Sequence, residues 1–445
     1  MTEGLTSLWR HGDFMLLWGG QSVSEIGSAV TTLGLPLAAV VLLHATTFQV
    51  GLLTAASTVS FLLIALPAGV VVDRTARRRL MLGCDVARML IIGSVPVAWA
   101  LGDLTMAQLF AVAFLVGLLT VFFDVAYQSY LPSLVRPDQL VDGNGKLGAT
   151  QSFAQVVGPG LGGALFGALK ATAFTADAVS YAVSAISLAL IRTRERAPAP
   201  GVSGAGERPR LRHEATAGLV FVVSHPILRK IAACTGTANL FGAMTGALAV
   251  IFLVRVLHVQ PGYTGLLFGL ASVAGVLAGV VSGRLARLIG TARIIWFSIL
   301  VFGSLELLLP LAQRGWLLAL FVVGDAALSF SAVLYNIAQV SYRQSVCPPG
   351  LLGRMNAAIR WIVWGTLPLG GVIGGFLGST IGVRPTLWIG VAGSWAAGFW
   401  VLLSPLRTMR DIPATGSATD HRDGVVAAQP GGAGPDAAQP EPAGA

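Results

Sequence analysis

The chain reads as an all-α integral membrane protein, with twelve transmembrane helices in two pseudo-symmetric six-helix halves. Three observations predict this. Of its 445 residues, 54% are hydrophobic and only 11% charged, against about 25% charged in a soluble domain. The charges fall in clusters between apolar windows of about 20 residues, the length that crosses a hydrocarbon core as helix. The chain also repeats itself. Shifted by 212 positions, residues 126–165 match 338–377 at eleven places, among them Tyr130/Tyr342, Pro137/Pro349, Asn144/Asn356, Gly158/Gly370, Gly162/Gly374 and Gly163/Gly375. Duplicated six-helix halves with a substrate site near the midplane between them are a transporter pattern.

The apolar windows lie at roughly 14–43, 48–72, 80–101, 106–131, 149–169, 172–191, 229–256, 263–283, 292–312, 316–341, 356–379 and 384–404. The stretch 1–13 has no small-residue cleavage site after it, so the first window reads as a retained span. Residues 1–191 form the first half. Residues 192–228, rich in Arg, Pro, Gly and Ala, read as a cytoplasmic linker, with a surface helix expected within 211–224. The second half covers 229–405. The Gly-, Ala- and Pro-rich segment 406–445 reads as a disordered cytoplasmic tail.

The formal charge of +9 would suggest nucleic acid in a soluble protein, but its distribution gives another cause. Four of the 29 Lys and Arg residues, Lys170, Arg255, Arg314 and Arg384, fall in outer loops, and the other 25 lie in or toward inner loops and ends. That bias places both termini in the cytoplasm of a bacterial-type plasma membrane and leaves no role for nucleic acid. Cys84, Cys234 and Cys347 show no metal-ligand spacing. No nucleotide-binding loop, zinc helix or nucleophile elbow occurs, so the sequence predicts neither an enzyme nor an ATP-driven pump, and no metal or other cofactor. Its partners are expected to be a small-molecule substrate and membrane lipid. One chain holds both halves, which predicts a monomer.

Between the second and third windows runs Gly69-Val-Val-Val-Asp73-Arg74-Thr-Ala-Arg77-Arg78-Arg79-Leu80. Basic residues alone would pin such a loop inside, while an acid among arginines at a helix end is poised for ion pairs that make and break. The order G-x-x-x-D-R-x-x-R-R resembles the loop between helices two and three of the major facilitator superfamily. That resemblance implies the superfamily's fold and a cytoplasmic gating role for Gly69, Asp73, Arg74, Arg77 and Arg78, with the aspartate meeting the start of helix eleven. Ala76 stands where the family has a second glycine. In the second half Arg287 occupies the aspartate's place, so a gate is not expected there.

Gly158-Pro159-Gly160-Leu161-Gly162-Gly163 in the fifth window serves close helix packing. It also resembles the antiporter motif of proton-driven exporters, with Ala154 replacing a further glycine, and this implies that Gly158, Pro159, Gly162 and Gly163 help seal the cavity. Asp124 through Asn144, with Leu8-Trp9-Arg10 and Ser24-Glu25-Ile26-Gly27, resembles the branch holding macrolide-efflux and enterobactin-exporter-like proteins, over about residues 8–405.

Carboxylates inside a membrane are costly and face a cavity or a partner. Glu25 and Asp124 are the expected proton or substrate coupling groups. Asp124 is alternatively a partner for Arg74, Arg77 or Arg88, and Asp177, Glu306 and Asp325 suit ion pairs or helix ends. Window four lacks the arginine common in proton-coupled drug exporters. Trp18, Tyr127, Tyr335, Trp361 and Trp364 are candidates for lining a cavity, packing helices or sitting at the interface. The expectation is export of a small amphipathic compound by proton antiport with alternating access. An importer of a small solute and a non-transporting sensor or assembly protein stand as alternatives.

Overall fold

The computed structural model describes residues 8–136, 139–193, 219–348 and 351–412. Among them every regular element is helical. The first half holds α1 (Gly12–Val41), α2 (Thr47–Arg74), α3 (Arg77–Leu101), α4 (Met106–Leu134), α5 (Leu140–Leu169) and α6 (Phe174–Leu190). The second half holds α7 (Leu228–Ile251, extended by a π-helical turn, Phe252–Val256), α8 (Pro261–Ile289) and a composite α9. It continues with α10 (Ala319–Val346), α11 (Leu352–Thr380) and α12 (Val383–Ala396, then Gly398–Leu402). Within α9, α-helix Arg293–Phe297 passes into π-helix Ser298–Phe302 and then 3-10 helix Gly303–Leu311.

Eleven stretches are long and apolar enough to cross a membrane. One of them, Asp142–Leu190, has 49 residues and takes in both α5 and α6, which are joined through Lys170 at φ 51°. Several helices overrun their apolar windows. α5 begins at Leu140 rather than near 149, and there Lys146 pairs with Asp142 one turn away at 2.5 Å, supporting helix beyond the hydrocarbon. The ends are cut by local chemistry. Thr46 and Gln49 form a reciprocal capping box on α2 (3.2 and 2.8 Å), and α3 stops at Gly102, left-handed at φ 81°.

The outer surface carries bare apolar side chains, such as Leu90 at 65% and Val280 at 73% exposure. That pattern suits hydrocarbon rather than water. The chain is a multi-pass membrane protein.

The repeat read from the sequence reappears in the packing. In the first half α1 packs on α5 and α6, α2 on α4, and α3 on α4 and α6. In the second, α7 packs on α11 and α12, α8 on α10, and α9 on α10 and α12. The halves meet through α2 with α11 and α5 with α8, pairs that exchange under the same operation.

The contact is uneven across the membrane. We call the face bearing the start of α1 and the end of α12 the terminal face, and its opposite the far face. At the far face one apolar core runs through both halves, joining Leu37, Val50 and Phe166 to Leu253, Leu309 and Phe321. Arg255 Nη2 also donates across the seam to the Val40 carbonyl (3.3 Å). At the terminal face each half has its own core, one around Phe14, Phe123 and Tyr130 and the other around Ile231, Tyr335 and Met355. Among the described residues, then, the halves share a core at the far face and keep separate cores at the terminal face.

The linker segment 194–218 and the tail 413–445 lie outside the described residues. Of the surface helix expected at 211–224, residues 219–224 are helical and the rest lie outside as well.

Candidate functional site

A cavity of about 670 Å³ lies within the second half, walled by α7, α9, α10, α11 and α12. Toward the terminal face its wall carries Arg343, Asn356 and Arg360. Midway, Tyr335 shares a hydrogen bond with Thr235 of α7 (2.7 Å), and Gln339 Nε2 donates to Asn336 (2.9 Å). Trp364 closes the side toward the first half. Its ring sits 4.7 Å from that of Phe61 on α2, with the Arg360 guanidinium 5.1 Å from its centroid. At the deep end Glu306, 2% exposed, and Ser394 join the wall.

The five aromatic candidates fall in different places. Tyr335 and Trp364 line this cavity. Trp18 does not; its Nε1 donates to Thr150 on α5 (3.0 Å) and its ring meets Trp9 edge-on at 5.3 Å, so it fastens α1 to α5. Tyr127 stacks on Phe123 at 6.1 Å within α4. Trp361 is 51% exposed on α11 and is not part of this cavity's wall.

In the first half Glu25 is half-buried and accepts from Gln21 (2.9 Å). Asp124 lies within electrostatic reach of Glu25, of Arg88, and of Arg360 across the seam. The sequence offered Arg88 as a partner for Asp124, yet its ion pair is with Asp85 on the same helix, the two residues 4% and 0% exposed. The Arg88 guanidinium is held between the rings of Phe123 and Tyr181, 4.4 Å from each centroid. Their spacing of three on one helix was the available signal. Asp177, on α6, accepts from Thr31 of α1 and from Ser180 (3.1 Å), and Ser28 bonds Tyr181 (2.9 Å). This polar layer ties α1 and α3 to α6 inside the first half.

The 69–80 loop is tighter than its sequence length implies. α2 runs on to Arg74 and α3 starts at Arg77, leaving Thr75 and Ala76 as the connection. Gly69 faces open space. Arg78 donates to the last carbonyls of α6, Leu188 (2.7 Å) and Ala189 (2.6 Å), capping that helix with a cation as its dipole favours. Arg77 is half-buried beside it. The side chains of Asp73 and Arg74 lie outside the described residues.

The Gly-Pro segment of α5 packs on two sides. A Cβ on Gly158 would strike Ala29 of α1, and one on Gly162 would meet Val30 at 3.0 Å. On the other side Gly163 lies against the backbone of Gly265 in α8, and the Pro159 carbonyl faces the same glycine. The repeat partners do the same work. Gly370 and Gly374 lie on Leu240 and Met244 of α7, while a Cβ on Gly375 would come within 3.0 Å of the Gly51 backbone of α2. Glycine pairs of this kind let backbones touch where lipid gives no hydrophobic drive to associate.

A family model described as Major Facilitator Superfamily matches residues 17–366. Macrolide efflux protein A of Streptococcus pyogenes is 27% identical over 382 residues, 83% of this chain and 90% of that protein. An uncharacterized MFS-type transporter, y4rN, of Sinorhizobium fredii is 28% identical, over 73% of this chain and 78% of its own. Among solved structures, the nucleoside transporter NupG superposes with a TM-score of 0.70 at 12% identity, covering 88% of this chain and 98% of its own. A bacterial homologue of the iron transporter ferroportin gives 0.69 in the inward-facing state and 0.56 in the outward-facing state, at 18% and 17% identity. Each covers 89% of this chain, and 99% and 100% of its own.

Proposed function

Because the chain belongs to the Major Facilitator Superfamily, a family of transporters and not enzymes, we propose that it exports a small amphipathic organic compound by proton antiport with alternating access. The observation that carries this reading is the unequal joining of the halves. They share one core at the far face and have separate cores at the terminal face, and the second half holds a cavity whose Trp364 meets Phe61 of the first. The lysine and arginine bias supports a cytoplasmic terminal face in a bacterial plasma membrane, so this is a cytoplasm-open conformation ready to load. The likeness to a macrolide efflux protein over 83% of the chain supports the outward direction and an amphipathic substrate.

In the cycle, the halves rock about the midplane. Loop 69–80 latches the terminal face once the far face opens, with Asp73 as the anionic partner. Arg78, bonded to α6, keeps the loop attached to the first half as it moves. Glu25 and Asp124 exchange a proton for the substrate. No cofactor enters the cycle beyond the proton gradient, and one chain, a monomer, suffices for it.

Growth inhibition across a panel of antibiotics and dyes, in a host lacking its own pumps, tests the direction. Raised tolerance to a subset, lost in Asp73→Asn with membrane insertion intact, is expected. Uptake of labelled compound, or wild-type tolerance in Asp73→Asn, would sink respectively the direction and the gate. In proteoliposomes, Glu25→Gln or Asp124→Asn is expected to abolish the pH dependence of flux. A pH dependence that persists in both variants rules them out as the proton carriers.

A further inference from the structure

Glu306 is a buried acid that the transport cycle above leaves unused. It is 2% exposed, lies on the cavity wall, and has no ion-pair partner among the described residues. Its Oε2 is buried without a hydrogen-bond partner, while Ser394 of α12 hydrogen-bonds the same carboxyl group. A carboxylate at membrane depth without a cation is costly, and this one lies in the wall of a cavity wide enough to admit an organic molecule.

The position of the acid is fixed by α9. Gly303 abuts Ser331 and Leu309 abuts Gly324, which sets Glu306 level with Leu328 on α10, at the far end of the cavity. The other charged groups on the wall are Arg343 and Arg360. Arg343 is fifteen residues further along α10, about 22 Å away at 1.5 Å per residue. Coulomb repulsion falls with distance, so at that separation Arg343 opposes a cation at Glu306 far less than the adjoining carboxylate attracts it. Asp325 of α10 is not on the wall. Between the deep acid and the mouth the wall is mixed, with Leu328, Ile359, Val363 and Leu367 beside the aromatic rings of Tyr335 and Trp364.

We infer that Glu306 is the receptor for a cationic head, an alkylammonium or comparable organic cation, whose apolar body lies along α10 and α11 toward Trp364. The inference deepens the export reading by naming the substrate class. A small inorganic cation would need several converging oxygens, and among the described residues no cluster of three His, Cys, Asp or Glu exists. An organic cation needs one carboxylate and apolar or aromatic walls, and both are present.

Equilibrium binding on the purified full chain tests this without requiring flux. Tetraphenylphosphonium serves as the permanent cation and chloramphenicol as the neutral probe. Glu306→Gln is expected to weaken tetraphenylphosphonium binding about ten-fold or more, the scale of a charge-assisted contact, and to change chloramphenicol binding less than about two-fold. Glu306→Asp, which keeps the charge, is expected to restore at least part of the cation affinity and guards against a merely misfolded variant. Tetraphenylphosphonium binding unchanged in Glu306→Gln, equal loss for both probes, or no cation binding by the wild type would each overturn the inference. If binding depends on Glu306 while proteoliposomes move no compound outward, the subsite stands and the export reading falls.

Discussion

Replacing Arg88 with alanine is expected to cost about 3–5 kcal/mol of stability, the penalty for leaving one member of a buried ion pair without its partner. The carboxylate of Asp85 would remain at 0% exposure, facing a hole where the guanidinium lay between Phe123 and Tyr181. Lipid offers it no water, and three elements, α3, α4 and α6, lose their shared contact. Thermal melting of the detergent-solubilised chain measures the loss. The double variant Asp85→Asn/Arg88→Met, which removes both charges and refills the space, is expected to recover most of it, since coupled neighbours do not add. A single variant melting within about 1 °C of wild type, about 1 kcal/mol for a chain of this size, would show that water or lipid headgroups already compensate the pair.

Gly163→Val is expected to reduce transport by roughly ten-fold or more without preventing insertion. The new Cβ would run into the backbone of Gly265, and backbone, unlike a flexible side chain, has no other rotamer to take. α5 and α8 must part at the far face. Overpacking a close contact costs about 1–3 kcal/mol, and each 1.4 kcal/mol shifts a two-state balance about ten-fold, here against the far-closed conformation. A cysteine placed at Ser331 on the cavity wall reads the shift, through faster labelling by an impermeant maleimide added from the far side. Wild-type flux together with unchanged labelling would mean that this contact does not seal the cavity. Gly375, which meets Gly51 in the equivalent place, is expected to behave alike.

Much of the architecture was legible before any coordinates. The apolar windows gave the helices because a hydrocarbon layer of about 30 Å dictates their length. The 212-residue repeat anticipated which helices are equivalent, and its equivalent glycines Gly163 and Gly375 proved to be contact residues, Gly163 on Gly265 and Gly375 on Gly51. Helix ends were less legible, since helical winding continues past the apolar stretch wherever pairs such as Asp142 and Lys146 support it.

The site was harder to read. Aromatic identity says nothing of direction, so Tyr335 and Trp364 face the cavity while Trp18 fastens α1 to α5 and Trp361 lies exposed on α11. Arg78 reads as one basic residue among several, yet it caps α6, a helix more than one hundred residues away in sequence. Neither fact has a local signature.

α9 also escaped the period of 3.6. In its 3-10 stretch, three residues per turn place Gly303, Glu306 and Leu309 in single file, all buried. An α-helix would drift about 60° over each such step. The consequence concerns inheritance. A relative with one residue fewer in the π-helical Ser298–Phe302 stretch can keep an acid at the aligned position and still point it at lipid. Whether two members of the family share this carboxylate is therefore decided by counting residues through the bulge, and an alignment column that shows glutamate in both does not decide it.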